Sequence, residues 1–298
     1  MEVLEILQSA YSSIQDSGRF GFRSFAIPQS GCFDYQMHST ANYLVANKYD
    51  DPCIELIGGK LTARCLATFQ IGVAGINVNV RVNNQLVDLL STINLTAGDE
   101  LEIQGSLAYI SIAGSLIVKR HFESASTYPL AELGAPILKR GHKIKVVTNG
   151  INPRSIKHDQ IPTEGKFEII RLIEGPEWDF VSLNSVDFEK INWKISNQSN
   201  RIGIRLLGES LNISGKEMPS VPTFPGTIQL PPDGQPIILM NDAQTTGGYP
   251  RIGQVIKADL PRLARLMMGG TIRFKFVTIP EARYIFERQQ SFIKHEFK

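Results

Sequence analysis

Cysteine is scarce in this chain: Cys32, Cys53 and Cys65 are the three among 298 residues. An odd number without CxxC spacing argues against both a disulfide framework and a thiolate zinc site, and reads as reduced thiols. No apolar run approaches the roughly 20 residues that cross a bilayer. The start, Met1-Glu2-Val3-Leu4-Glu5, places acid where a secretion signal carries its basic segment. Net charge is almost absent too, 31 Lys and Arg against 29 Asp and Glu, so no bulk field draws the chain to nucleic acid or to a membrane surface. The expectation is a soluble cytoplasmic protein.

Catalytic signatures are missing as well. No GxxxxGK[ST] occurs, because Gly59-Lys60, Gly165-Lys166 and Gly215-Lys216 run on into Leu61, Phe167 and Glu217; a nucleotide held by a P-loop is excluded. There is no HExxH, and His38, His121, His142, His158 and His295 are scattered, which argues against a zinc hydrolase and for histidines with structural roles. No GxSxG nucleophile elbow is present. No cofactor is bound by a recognisable motif, and no metal site is expected.

What the chain does have is β structure. Hydrophobic residues make up 42% and charged residues 20%, enough apolar material for two ordinary domains at this length. The segments Ile54–Ile57, Thr68–Val73, Asn77–Val82, Glu100–Ile103 and Leu107–Ile112 are β-prone. Gly58-Gly59, Asn83-Asn84 and Ala97-Gly98-Asp99 read as the turns between them. One helix is expected from an Asp34 cap, with Met37, Ala41, Leu44 and Val45 on a single face. Asn, Gly, Pro, Ser and His crowd Val147–Thr163, the best linker, so we place domains at 1–155 and 156–298. Strands follow near Phe167–Leu172, Asn192–Ser196, Ile202–Leu206 and Pro236–Met240. A short helix is expected with Asp259 as its cap, ending at Gly269-Gly270; then a strand over Thr271–Ile279 and a helix opened by Pro280. The fold class is mainly β with a few short helices, and the strand spacing suits barrels or sandwiches.

The most informative stretch runs from Gln229 to Arg251. A short apolar strand, Ile237–Met240, discharges into Asn241, Asp242, Gln244, Thr245, Thr246, Gly247, Gly248 and Tyr249. This is a dense set of hydrogen-bonding groups, in which two glycines let a ligand approach the backbone. It is longer than a turn needs and reads as a binding loop. Three further polar clusters stand out: Gln15-Asp16-Ser17-Gly18-Arg19 after a first strand, Pro28-Gln29-Ser30-Gly31-Cys32-Phe33-Asp34 before the helix, and Ser196 to Arg205 around Asn200-Arg201. The amides at the helix start could receive an anion. Singly, each cluster reads more readily as a structural turn.

In this order and at these distances, the clusters resemble the family of biotin-dependent carboxyltransferase-like proteins. That family includes the C subunit of 5-oxoprolinase, KipA and the carboxyltransferase domain of urea carboxylase. The resemblance rests on Ser13–Arg19, Ile27–Asp34, Ala41–Asn47, Ser199–Leu206 and Pro225–Pro250, and so covers nearly the whole chain. It implies two cyclophilin-like β-barrel domains with a cleft between them, and one component of an ATP-dependent 5-oxoprolinase. Such a complex hydrolyses the 5-oxoproline lactam to glutamate, the C component working together with a KipI-like B subunit and an A subunit. ATP is then used by the complex. Biotin enters only under the alternative of a urea or amide carboxyltransferase, and a non-catalytic, KipA-like regulatory partner of a KipI-like protein is the other alternative.

The roles implied are catalytic for Asp242, Gln244, Arg201 and Asp16. Gln15, Arg19, Ser30, Asp34, Asn200, Thr245, Thr246, Gly247, Gly248 and Tyr249 would bind substrate. Arg201 or Arg19 would hold an anionic group, Gly247-Gly248 amides would cradle an oxyanion, and Asp242 or Asp16 would orient water or accept a proton. The first domain departs from the family pattern. It has Val73-Ala74-Gly75-Ile76 in place of Gly-Ala-Asp, Ala113-Gly114-Ser115-Leu116-Ile117 in place of Ala-Gly-Gly-Ile-Asp, and Ala125-Ser126-Thr127 in place of Arg-Ser-Thr. A shortened segment follows over Pro129–Pro136, and Ser220-Val221-Pro222 replaces Ser-Glu-Gly.

Overall fold

The β-prone segments pair over long distances in the computed structural model, which describes residues 1–298 except 90, 158–165, 183–184, 214–217, 267–268 and 297–298. Part of the expected linker, His158 and the glycines of two Gly-Lys pairs lie outside the described residues. The chain forms two units. Met1–Arg19 and Ser30–Thr163 make the first; Phe20–Gln29 and Glu164–Glu296 make the second.

The first unit holds β1 (Glu2–Gln15), α1 (Tyr35–Leu44), β2 (Cys53–Cys65), β3 (Phe69–Ile76), β4 (Asn79–Val82), β5 (Gln85–Leu86), β6 (Ile93–Leu95), β7 (Glu100–Ile112), β8 (Ser115–Leu116) and β9 (Lys143–Val147). Among the described residues these strands form a nine-stranded sheet in the order β5-β4-β7-β2-β1-β9-β8, with β3 joining β7 and β6. Its interior is aliphatic: Val3, Leu4, Ile6, Ile54, Leu56, Ile71, Val73, Ile103 and Ile110 are buried together. Branched side chains at alternate strand positions suit such a pleated, covered surface.

Two expectations needed correction here. Gly58-Gly59 is no turn: β2 runs straight through it. Against β1 the register jumps from Ser9↔Leu61 to Tyr11↔Ile57, so the glycines are the extra residues of a bulge. Both take positive φ, 56° and 118°, and a Cβ on Gly59 would lie 2.8 Å from that of Ala10. For the same reason Glu100–Ile112 is one strand rather than two, with Gly105 opposite Gly59. The Asn83-Asn84 turn forms as expected, with both residues at positive φ (51° and 66°) between β4 and β5, the conformation that a two-residue hairpin requires.

The second unit contains β10 (Phe167–Glu174), α2 (Ser185–Phe188), β11 (Trp193–Ile195), β12 (Gly203–Leu207), β13 (Val221–Pro222), β14 (Thr227–Gln229), β15 (Ile237–Leu239), β16 (Thr246–Gly247), β17 (Arg251–Val255), α3 (Leu260–Leu266), β18 (Thr271–Phe276) and α4 (Ile279–Glu296). Seven of these strands close a barrel in the order β10-β17-β14-β15-β12-β11-β18, while β13 and β16 form a separate two-stranded ribbon. Closure leaves no unpaired edge. Ile170, Leu172, Trp193, Ile204, Leu206, Ile228, Ile238 and Phe274 are buried in this unit. Phe188 stacks on Phe274 with centroids 5.3 Å apart and meets Trp178 edge-on at 5.2 Å.

Asp259 does not serve as the expected cap of α3. Its carboxylate takes the Arg171 backbone N–H at 2.8 Å and that residue's Nε at 2.9 Å, pinning the helix start to β10. Proline does open α4, and Thr278 and Glu281 cap it reciprocally: Thr278 N donates to Glu281 Oε2 at 2.7 Å. Among the described residues no helix is long and apolar enough to cross a membrane.

Candidate functional site

In the first unit the polar clusters converge where β1 ends. Asp16 is buried, and its carboxylate is fully engaged. Oδ1 accepts from Gly18 N at 2.9 Å, Ser124 Oγ at 2.6 Å and Ser126 Oγ at 2.5 Å, and Oδ2 accepts from Ala125 N at 2.7 Å. Arg120 Nη1 lies 3.7 Å from Oδ2. Burial pushes this carboxyl up, but the bonds from Ser124, Ser126, Gly18 and Ala125 outweigh it and hold Asp16 below its ordinary value. Gln15 and Arg19 attach to the same segment. Gln15 Nε2 donates to Ser13 Oγ at 3.0 Å and to Thr127 O at 3.3 Å, and Arg19 Nη2 donates to Ser126 O. Ala125, where the family pattern has arginine, is fully buried.

The second cluster folds back onto the first. Ser30 has φ 54° and Gly31 φ 91°. A Cβ on Gly31 would sit 2.9 Å from the Ser17 carbonyl, so only glycine passes there. Cys32 N then donates to Asp16 O at 2.8 Å. Asp34 caps α1, its Oδ1 accepting from Gln36 N at 2.9 Å and Met37 N at 3.2 Å. Those amides therefore serve Asp34 itself and not an external anion.

Two residues missed by sequence reasoning hold this loop from beneath. Glu55 Oε2 accepts from Phe33 N at 2.9 Å and from Tyr109 Oη at 2.6 Å, and Tyr109 Oη accepts from Asp34 N at 2.8 Å. Burial, with Glu55 alongside, pushes the Tyr109 phenol well up. His38 packs edge-on against Tyr109 at 5.7 Å, and burial lowers its pKa, favouring the neutral ring.

In the second unit the expected loop lies between β15 and β17. Asp242 and Arg201 form a buried bidentate pair, Nε to Oδ2 at 2.7 Å and Nη2 to Oδ1 at 3.1 Å. Asp242 N also donates to Arg201 O at 3.0 Å. Asn200 turns the preceding chain, its Oδ1 accepting from Ile202 N at 2.8 Å. Thr223 N donates to Thr245 O at 3.0 Å, and its Oγ1 to Gln244 O at 2.8 Å. Thr246 and Gly247 pair with Pro222 and Val221 in the ribbon.

Gln229, beneath the loop, is 2% exposed. A Cβ on Gly247 would fall 2.5 Å from Gln229 Nε2, so glycine is required by a side chain from β14. Gln244, Thr246, Gly248 and Tyr249 remain exposed. The loop is thus a held backbone that presents neutral polar groups outward. Among the described residues, no group of three or more His, Cys, Asp or Glu could hold a metal ion.

A carboxyltransferase-type fold with these two polar centres is matched by sequence. Residues 25–276 match the family described as carboxyltransferase domain, subdomain A and B, and the chain belongs to that family. It is 32% identical over 307 residues to the 5-oxoprolinase C subunit of Escherichia coli (strain K12), covering 98% of this chain and 97% of that protein. It is 30% identical to the Haemophilus influenzae protein of the same name, covering 98% and 96%. It is 28% identical to urea amidolyase of Saccharomyces cerevisiae, covering 97% of this chain but 17% of that protein. The crystal structure of Kluyveromyces lactis urea carboxylase superposes with a TM-score of 0.91 at 24% identity, over 99% of this chain and 29% of that one. This last likeness speaks to the fold alone.

Proposed function

We propose that this chain is the C subunit of an ATP-dependent 5-oxoprolinase, opening the 5-oxoproline lactam to glutamate together with a KipI-like B subunit and an A subunit. The observation that carries the reading is end-to-end likeness. Two proteins named as 5-oxoprolinase C subunits align with 98% of this chain and with 97% and 96% of themselves. In the urea amidolyase match, this chain corresponds to 17% of the relative. Identity is also higher to the two C subunits, 32% and 30%, than to urea amidolyase, 28%.

Lactam hydrolysis asks a protein to bind a neutral amide, orient it and stabilise charge on its oxygen. The 244–249 loop supplies backbone amides and the Gln244 side-chain amide for that purpose. Arg201 and Asp242 are committed to each other, and Asp16 to four donors, so we assign these three to positioning. ATP would be used by the assembled complex. The likeness to urea amidolyase supports a second reading, a carboxyltransferase acting on urea with biotin.

The test is to combine this chain with its B and A partners and measure glutamate release from 5-oxoproline with ATP. Release that requires all three subunits is the expected result. Assembly without release would replace the enzyme reading with that of a regulatory partner, and biotin-dependent turnover of urea would replace it with the second.

A further inference from the structure

Thr223 is fully buried and ties three groups to one point. Its N–H and Oγ1 hold the backbone of Thr245 and Gln244, at 3.0 and 2.8 Å. Its carbonyl accepts from Arg23 Nη2. Arg23 comes from the turn Arg23–Phe25 of the 20–29 segment, which belongs to the second unit. Its guanidinium lies 5.1 Å from the Phe224 ring centroid and is half-buried. Among the described residues it pairs with no carboxylate, so a cation restrained on one side is left without a counter-charge.

Gln244 has a defined polarity. The Tyr249 carbonyl can only accept, so Gln229 turns its Nε2 toward it, at 3.4 Å. Gln229 Oε1 must then face Gln244, which donates its own Nε2 at 3.4 Å. The Gln244 oxygen is left over. On an exposed residue whose backbone is pinned by Thr223, it presents an acceptor outward. An acceptor selects N–H over oxygen or N-alkyl at that point and disfavours an anion there, whereas Arg23 favours an anion.

We propose that Gln244 Oε1 and Arg23, organised by Thr223, form a specificity element for a small amide that bears both an N–H and a carboxylate. This rests on the 5-oxoprolinase reading and names two residues that would select its substrate: Gln244 reads the N–H, Arg23 the carboxylate.

The test is binding to the full chain by calorimetry, with 5-oxoproline, with 2-pyrrolidinone (no carboxylate) and with N-methyl-5-oxoproline (no N–H). Wild type should prefer 5-oxoproline over each by about tenfold or more, the size of one directed hydrogen bond or ion contact. Arg23→Met should erase the preference over 2-pyrrolidinone alone, and Gln244→Met the preference over the N-methyl compound alone. Arg23→Lys should keep part of the first preference, which a variant that merely unfolds would not.

Equal binding of all three ligands by wild type, no binding of any, or equal weakening of all three in both variants would overturn the proposal. Selective binding without glutamate release in the assembled complex would keep this element and remove the enzyme reading. Release from 5-oxoproline with unchanged selectivity in Arg23→Met would do the reverse.

Discussion

Replacing Asp242 with Asn separates a holding role from a chemical one. The Asp242 and Arg201 side chains are 5% and 6% exposed, and the carboxylate uses both oxygens on the guanidinium. Asparagine keeps one acceptor and turns an N–H₂ toward a donor, which breaks the buried bidentate pair. Removing one partner of a buried pair costs about 3–5 kcal/mol. With a urea dependence of about 1.5 kcal/mol per molar, the unfolding midpoint should fall by roughly 2–3 M.

Both tryptophans, Trp178 and Trp193, lie in the second unit, so their fluorescence reports the unit that carries the pair. The double variant Arg201→Met with Asp242→Leu removes both charges. It should recover most of the loss, giving a coupling of about 2 kcal/mol or more between the two sites. The reasoning is refuted if Asp242→Asn unfolds at the wild-type urea concentration while glutamate release by the complex is lost. The carboxylate would then serve the reaction and not the loop.

Three further outcomes follow from the geometry. Asp16 has a depressed folded-state pKa, so its contribution to stability is present above the ordinary carboxylate range and lost as pH falls through the depressed value; Ser126→Ala should shift acid unfolding, followed by circular dichroism, to higher pH, and an unmoved transition would contradict the role of that hydroxyl. Gly247→Ala should destabilise by about 1–3 kcal/mol because the new methyl meets Gln229 Nε2. Adding Gln229→Ala should relieve that strain, whereas simple additivity of the two losses in thermal unfolding would place the clash elsewhere. Burial pushes the Cys53 thiol up, and burial with Asp99 nearby raises Cys65 to about 11, so both should resist a thiol reagent at pH 8 until the chain is unfolded; rapid labelling of either in the native chain would count against their placement.

Elements with a local signature were legible in the sequence. Asp34 and the spacing of Met37, Ala41 and Leu44 predict α1, because a cap and a helical stripe are properties of ten adjacent residues. Asn83-Asn84 predicts its hairpin for the same reason. Gly58-Gly59 misleads because two glycines suit a bulge as well as a turn, and the paired strands β1 and β7 decide between them. Asp259 has the local form of a cap, but its carboxylate is claimed by Arg171, 88 residues earlier.

The candidate site divides in the same way. The Gln229–Arg251 run announces itself by composition, and Arg201 and Asp242 can each be named from motifs. That they neutralise one another across 41 residues has no local trace. Arg23 carries no mark at all: it sits between Phe22 and Ser24, and only the folded chain sets it against Thr223 and Phe224. Glu55 and Tyr109 read as strand residues until the amides of Phe33 and Asp34 are found on them.

This division bears on where proton transfer can occur. Asp242 is the one carboxylate between Asn241 and Arg251, and it is held by Arg201. In the first unit Asp16 accepts four hydrogen bonds, and Asp34 spends an oxygen on its own helix. A carboxylate so engaged must give up protein donors before it can take a proton from water, at a cost comparable to the hydrogen bonds released. The groups left over on the loop are amides, hydroxyls and backbone N–H groups, joined by the guanidinium of Arg23. These bind and polarise, but none is a base near neutral pH. A lactam seated there would be oriented without being opened, and the base would come from another segment or from a partner protein. The isolated chain is therefore expected to bind 5-oxoproline and release no glutamate from it, and turnover by the chain alone would show that one of the engaged carboxylates is freed when substrate binds.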